Sequence, residues 1–200
     1  MPVSGRGSLD REVILIKILY KKAYNLYADE NFEDSLKLLT QTSEIWFDHE
    51  LKTKFLYLQG MNFFKMGEFD RSIRIFYELK NLVPKNPKIF FMLGEILYHT
   101  GNFKESERMY TRAKKCDYFN FELTLKSALS AWKSDNFIRM YNILKEGYIP
   151  EIISKEDEDR LRIFLLDFLS NSNYDYAYPV FFRIIEFCNI QRDHINILFQ

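Results

Sequence analysis

Cysteine is nearly absent from this chain of 200 residues: there are two, Cys116 and Cys188, too far apart in sequence to make a metal or redox spacing. That excludes a disulfide-stapled secreted scaffold, and two buried free thiols in a reducing compartment are expected instead. Glycine (7) and proline (5) are scarce, which leaves little room for long irregular loops. There is no surplus of either charge sign, with Lys+Arg and Asp+Glu both 28. A generic nucleic-acid binder needs excess cation to displace phosphate counterions, so no nucleic-acid partner is expected. A polybasic membrane anchor is disfavoured for the same reason. No apolar run approaches the length of a membrane span, so no membrane partner is expected. The segment from Met1 to Ser8 is small and polar and lacks the apolar stretch of a secretory signal. The expected location is intracellular: cytoplasmic, or nuclear in a eukaryote. The balanced charge gives little colloidal repulsion, which leaves self-association as a homodimer open.

Catalytic signatures are missing too. There is no Gly-rich phosphate loop, no HExxH and no CxxC, and Gly5-Arg6-Gly7 is not followed by the rest of a nucleotide fingerprint. His49, His99 and His194 are isolated, and the acidic run Glu156 to Asp159 suits a solvated helix start better than a metal site. No enzyme activity, cofactor or metal is expected.

What is present is a period. Glu30-Asn31-Phe32, Gly67-Glu68-Phe69, Gly101-Asn102-Phe103 and Asp135-Asn136-Phe137 align, with their phenylalanines 37, 34 and 34 residues apart. A fixed period near 34 marks a helical repeat whose units bury their apolar faces by stacking. Each unit reads as two helices joined at the aligned turn. In the second, Leu56, Phe63 and Phe64 recur at helical spacing before Gly67, and Ile73, Phe76, Leu79 and Leu82 follow it, with Pro84 beyond. Asn86-Pro87 reads as an N-cap and first turn. Small residues keep phase: Ala23, Gly60, Gly94 and Ala128 in the first helices, Ser35, Ser72 and Ser106 in the second. Asp10 reads as the cap of a long opening helix from about Arg11 to Ala28. The expected division is a flexible tail (1–10), units at 11–50, 51–86, 87–120, 121–153 and 154–190, and a partial or capping helix (191–200). The fifth unit is degenerate: a capping-box pattern at Ser154 to Asp157, Asn173-Tyr174 at the turn, and Pro179 within the second helix. Ile195, Ile197, Leu198 and Phe199 crowd an end that lacks a polar cap.

The pattern resembles the tetratricopeptide repeat. That family's helix pair has a small residue at position eight, an aromatic at seventeen, a small residue at twenty and often proline at thirty-two, and Gly60, Phe69, Ser72 and Pro84 fit those places. Serine in place of alanine at position twenty, and Met140 there in the fourth unit, depart from it. The resemblance implies an all-α, right-handed α-solenoid of antiparallel helix pairs that binds protein segments in a concave groove. It implies that Lys17, Tyr20, Tyr24, Tyr27, Lys54, Tyr57, Met61, Phe64, Phe91, Tyr98, Leu129 and Trp132 stand at groove positions. Tyrosine and tryptophan are common binding anchors, but aromatics at helical spacing are as often core. Capture of acidic chaperone C-termini is disfavoured, because Tyr, Met, Phe or Leu stand where a Lys/Asn clamp would be needed. The leading expectation is a non-catalytic interaction scaffold for a protein or peptide partner, such as a subunit of a multiprotein assembly. The alternatives are a secretion-type repeat chaperone and an RNA-binding helical-repeat protein.

Overall fold

In the computed structural model the described residues are 6–41, 49–148, 154–157, 159, 160, 163 and 166. The expected turn at Asn173-Tyr174, the second helix of the fifth unit with Pro179, Cys188, His194 and the apolar end from Ile195 lie outside them. Two compact units divide the chain, Met1–Lys85 and Asn86–Gln200. The first holds α1 (Arg6–Ala28), α2 (Phe32–Gln41), α3 (His49–Lys65) and α4 (Phe69–Leu82). The second holds α5 (Pro87–His99), α6 (Phe103–Lys115), α7 (Phe121–Lys133) and α8 (Phe137–Glu146). Helix α1 starts at Arg6, ahead of the expected start at Arg11, so Asp10 lies inside it and does not cap it.

The turn within each pair is closed by one backbone device. The residue in the left-handed region is Glu30 (φ 60°), Gly67 (76°), Gly101 (77°) or Asp135 (58°). At the second turn, Gly67 N–H donates to Phe64 O (3.0 Å) and Glu68 N–H to Phe63 O (2.9 Å). The same two bonds recur at Gly101/Asn102, Glu30/Asn31 and Asp135/Asn136. This Schellman closure satisfies the last carbonyls of the first helix and turns the chain back for the second. Asparagines begin several helices: Asn86, Asn120 and Asn136 accept from Lys88 N, Leu123 N and Arg139 N.

The two helices of a pair meet at the phased small residues. Ser35 Oγ donates to Ala23 O (2.9 Å), Ser72 Oγ to Gly60 O (2.8 Å) and Ser106 Oγ to Gly94 O (2.8 Å), always across 12 residues. The serine that departs from the family pattern thus ties the second helix to a carbonyl of the first. Each such serine is 0% exposed. Two of them reach the following pair of their own unit: Asn62 Nδ2 donates to Ser35 Oγ (3.0 Å), and Ser106 and Ser130 hydroxyls lie 3.0 Å apart. Asn62 Oδ1 is buried without a partner.

Side-chain size is matched at the same contact. A Cβ at Gly60 would sit 2.7 Å from Phe76 Cε2, and one at Gly94 2.4 Å from Tyr110 Cε1. The corresponding places in the first and fourth pairs hold Ala23 with Leu39 and Ala128 with Leu144, all buried. Glycine thus goes with a ring and alanine with leucine. Gly60→Ala is expected to cost about 1–3 kcal/mol through overpacking. Gly60→Ala/Phe76→Leu is expected to lose less than the sum of the two single changes, measured by urea unfolding.

Candidate partner-binding faces

The helical period puts Tyr20, Tyr24 and Tyr27 on one face of α1, and Lys54, Tyr57, Met61 and Phe64 on one face of α3. In the first unit the Tyr20 ring is half-buried, 5.3 Å from that of Phe55. Tyr27 lies 5.6 Å from Phe32, and Tyr24 stands 6.5 Å from Tyr27 with 52% of its surface exposed. Ile16, Ala23, Leu39, Phe55 and Leu58 form the core beneath them. Burial raises the phenols of Tyr20 and Tyr27 above the ordinary value; at Tyr20 the Lys54 ammonium opposes that and Tyr24 adds to it. Both are therefore neutral at physiological pH and offer a donor on an apolar body. Lys54 is exposed and pairs with Glu50 at 2.5 Å.

Most of the other aromatics expected at the groove are engaged by the second helix of their own pair. Phe64 meets Phe69 (5.8 Å) and Tyr98 meets Phe103 (5.2 Å), as Tyr27 meets Phe32. One turn or more earlier, Tyr57 meets Phe76 edge-on (5.4 Å) and Phe91 meets Tyr110 (5.7 Å). Tyr57, Met61, Phe64, Phe91 and Tyr98 are all half-buried. The four aromatics each close their pair on one edge and show another edge to solvent. Leu129 and Trp132, expected on the groove wall, are each only 7% exposed. They belong to a densely buried α7, in which Phe121, Leu123, Leu125, Ala128 and Ala131 are also buried. An apolar side chain with so little surface adds stability by burial and has little left to give a partner.

The second unit contains a polar cluster that spacing alone does not reveal. Glu95 accepts from the Tyr110 hydroxyl through one carboxylate oxygen and from Lys126 Nζ (2.8 Å) through the other. Its sequence signal is a lone acid within Leu93-Gly94-Glu95-Ile96-Leu97. Tyr110 is fully buried, and burial first, then the Glu95 charge, pushes its phenol well above the ordinary value. Nearby, Arg139 binds Glu107 Oε1 (3.0 Å) and Thr111 Oγ1 (3.2 Å). A hollow of about 60 Å³ lies among Tyr110, Thr111, Asn120, Thr124, Ser127 and Arg139. It is far smaller than the several hundred Å³ of a small-molecule site. Among the described residues no cluster of three or more His, Cys, Asp or Glu is placed to hold a metal ion. Nor is any described helix long and apolar enough to cross a membrane.

Comparison with solved structures fits this geometry. MamA (residues 41 to the end) from Desulfovibrio magneticus RS-1 aligns with TM-score 0.65 and 13% identity, covering 88% of this chain and 97% of that one. A thermophilic TPR protein of Thermus thermophilus, TTC0263, aligns with TM-score 0.61 and 15% identity over 92% and 96% of the two chains. A kinesin-light-chain protein with nearly identical TPR-like repeats from Podospora anserina aligns with TM-score 0.64 and 7% identity over 88% and 97%. The chain has the tetratricopeptide-repeat fold. It is thus an all-α helical repeat of the α-solenoid class, as the 34-residue period implies. No family model and no curated protein matches the sequence.

In this repeat the Tyr110 hydroxyl is structural, and its titration gives a readout. The raised value means that the folded state favours the neutral phenol. The associated stability is fully present below about pH 10 and is lost as pH rises through the raised folded value. Tyr110→Phe is expected to cost about 1–3 kcal/mol at neutral pH, from the hydrogen bond taken from Glu95. The gap between wild type and variant should narrow above about pH 10, followed by chemical denaturation across pH.

Proposed function

We propose that this chain is a non-catalytic protein-interaction scaffold that holds a partner segment against aromatic first-helix faces. The observation that carries the reading is the row Tyr20, Tyr24 and Tyr27 on α1, fixed from beneath by Phe55 and Phe32 while Tyr24 stays half-exposed. Rings held rigid from one side lose little entropy when a partner covers the other, which is what a binding anchor needs. The parallel row Lys54, Tyr57, Met61 and Phe64 on α3 extends the same chemistry, with a cation at one end. Phe91 and Tyr98 repeat it on α5 of the second unit. An apolar helix or extended segment suits such faces. The repeat fold shared with the aligned structures supports the class, and an intracellular place within a larger assembly accords with it.

The test is affinity capture from a lysate of the source organism with wild type and with Tyr24→Ala/Tyr57→Ala, circular dichroism having verified that the variant is folded. A defined protein held by wild type and weakened about tenfold or more by the variant supports the reading. Identical capture by both, or none by either, contradicts it.

A further inference from the structure

The hollow of about 60 Å³ in the second unit has unused hydrogen-bonding capacity, and nearly all of it is for donating. It lies where the first turns of α7 meet α6 and α8, and none of Phe91, Tyr98, Leu129 and Trp132 lines it. Ser127 on its wall is only 7% exposed, yet its hydroxyl has no hydrogen-bond partner among the described residues. Buried hydroxyls are ordinarily paired. Unlike Asn62 Oδ1, Ser127 Oγ is not sealed off and keeps access to the hollow. Asn120 accepts from Leu123 N–H through Oδ1, and its NH2 group has no acceptor among the described residues. Lys114 Nζ, 4.9 Å from the centre of the Phe119 ring, reaches only the backbone oxygen of Glu146 (3.3 Å). Of the acids nearby, Glu107 is taken by Arg139, and the exposed Glu146 gives Lys114 no carboxylate contact. A hydroxyl, an amide NH2 and an ammonium are complemented by an acceptor that carries negative charge. The mouth is apolar: Phe119 is 51% exposed, and its ring is 6.5 Å from that of Tyr148, itself 46% exposed. The space exceeds the ~30 Å³ share of one water in the liquid, which is room for a carboxyl group but not for a metabolite.

We propose that this hollow binds a carboxylate, delivered as the side chain of a glutamate in a partner segment. The carboxylate accepts from Ser127, Asn120 and Lys114, and the methylene stem lies against Phe119 at the mouth. A partner segment as the source rests on the scaffold reading above; the carboxylate site itself does not. The site is separate from the first-helix faces, so it adds a charge requirement to whatever the tyrosines hold.

An amide-resolved NMR titration of the full-length chain at fixed ionic strength tests this, with N-acetyl-glutamate N-methylamide as the probe. Saturable shifts are expected at the Asn120, Ser127 and Tyr148 amides. The matching blocked glutamine, which lacks the charge, is expected to bind about tenfold more weakly or worse. Acetate, which lacks the stem, is expected to bind severalfold more weakly than the blocked glutamate. Ser127→Ala is expected to raise the dissociation constant about tenfold, the loss of one hydrogen bond to a charged group. Lys114→Gln is expected to raise it severalfold. Unchanged shifts away from the hollow verify that both variants are folded. No saturable shift, an equal response to glutamate and glutamine, or indifference to Ser127→Ala overturns the site. Acetate binding as tightly as the blocked glutamate overturns the partner segment as the source, in favour of a free small carboxylate. None of these probes needs the first-helix tyrosines, so failure here leaves the capture test with Tyr24→Ala/Tyr57→Ala to be decided separately.

Discussion

A serine hydroxyl on a backbone carbonyl sets the distance between the two helices of a pair, and the rest of each unit is arranged around that contact. The carbonyl belongs to Ala23, Gly60 or Gly94, and the donor to Ser35, Ser72 or Ser106. A larger side chain at either place would push the helices beyond hydrogen-bond reach. A helical carbonyl already accepts from its own ladder, and its second lone pair is free to take the hydroxyl. At that spacing a ring packs onto bare backbone, as Phe76 does at Gly60 and Tyr110 at Gly94. Buried hydroxyls must be satisfied, and through Asn62 and Ser130 the same node also links to the next pair within each unit. The fourth pair lacks the node: Met140, 2% exposed, stands where serine would be.

Much of the fold is legible in the chain. The turn motif, the period near 34 and the phased small residues identify helix pairs because close packing and left-handed closure tolerate few residue types. Gly67 and Gly101 announce their turns directly, while Glu30 and Asp135 adopt the same backbone without glycine and are found only by alignment with the other two. The start of α1 is not legible, because a helix end on a polar segment depends on a few weak propensities. Nor is the meaning of serine at position twenty, since its partner is a backbone atom that no residue name discloses.

The candidate faces are legible only in part. Periodicity finds which residues share a face but not how much of each the neighbouring helix takes. Tyr57, Phe64, Phe91 and Tyr98 all spend one edge on their own pair, and Leu129 and Trp132 keep almost none for solvent. Helical spacing cannot separate these cases, because the difference lies in the size of the residue opposite. Exposure along α1 is hidden for a related reason: Ile14 and Ile18 are more than half exposed, and only packing shows that Ile16 and Ala23 occupy the buried side.

The close-approach contact is tested most directly by comparing alanine and valine at Ser72 in chemical denaturation. Alanine removes the hydroxyl and keeps the space; valine also removes it but fills the space. Ser72→Ala is expected to cost about 1 kcal/mol, the net worth of one hydrogen bond. Ser72→Val should cost about 1–3 kcal/mol more, because Gly60 and Phe76 cannot move away. Valine tolerated as well as alanine would contradict this picture, since the two helices would then have room to spare at the place where they are held closest.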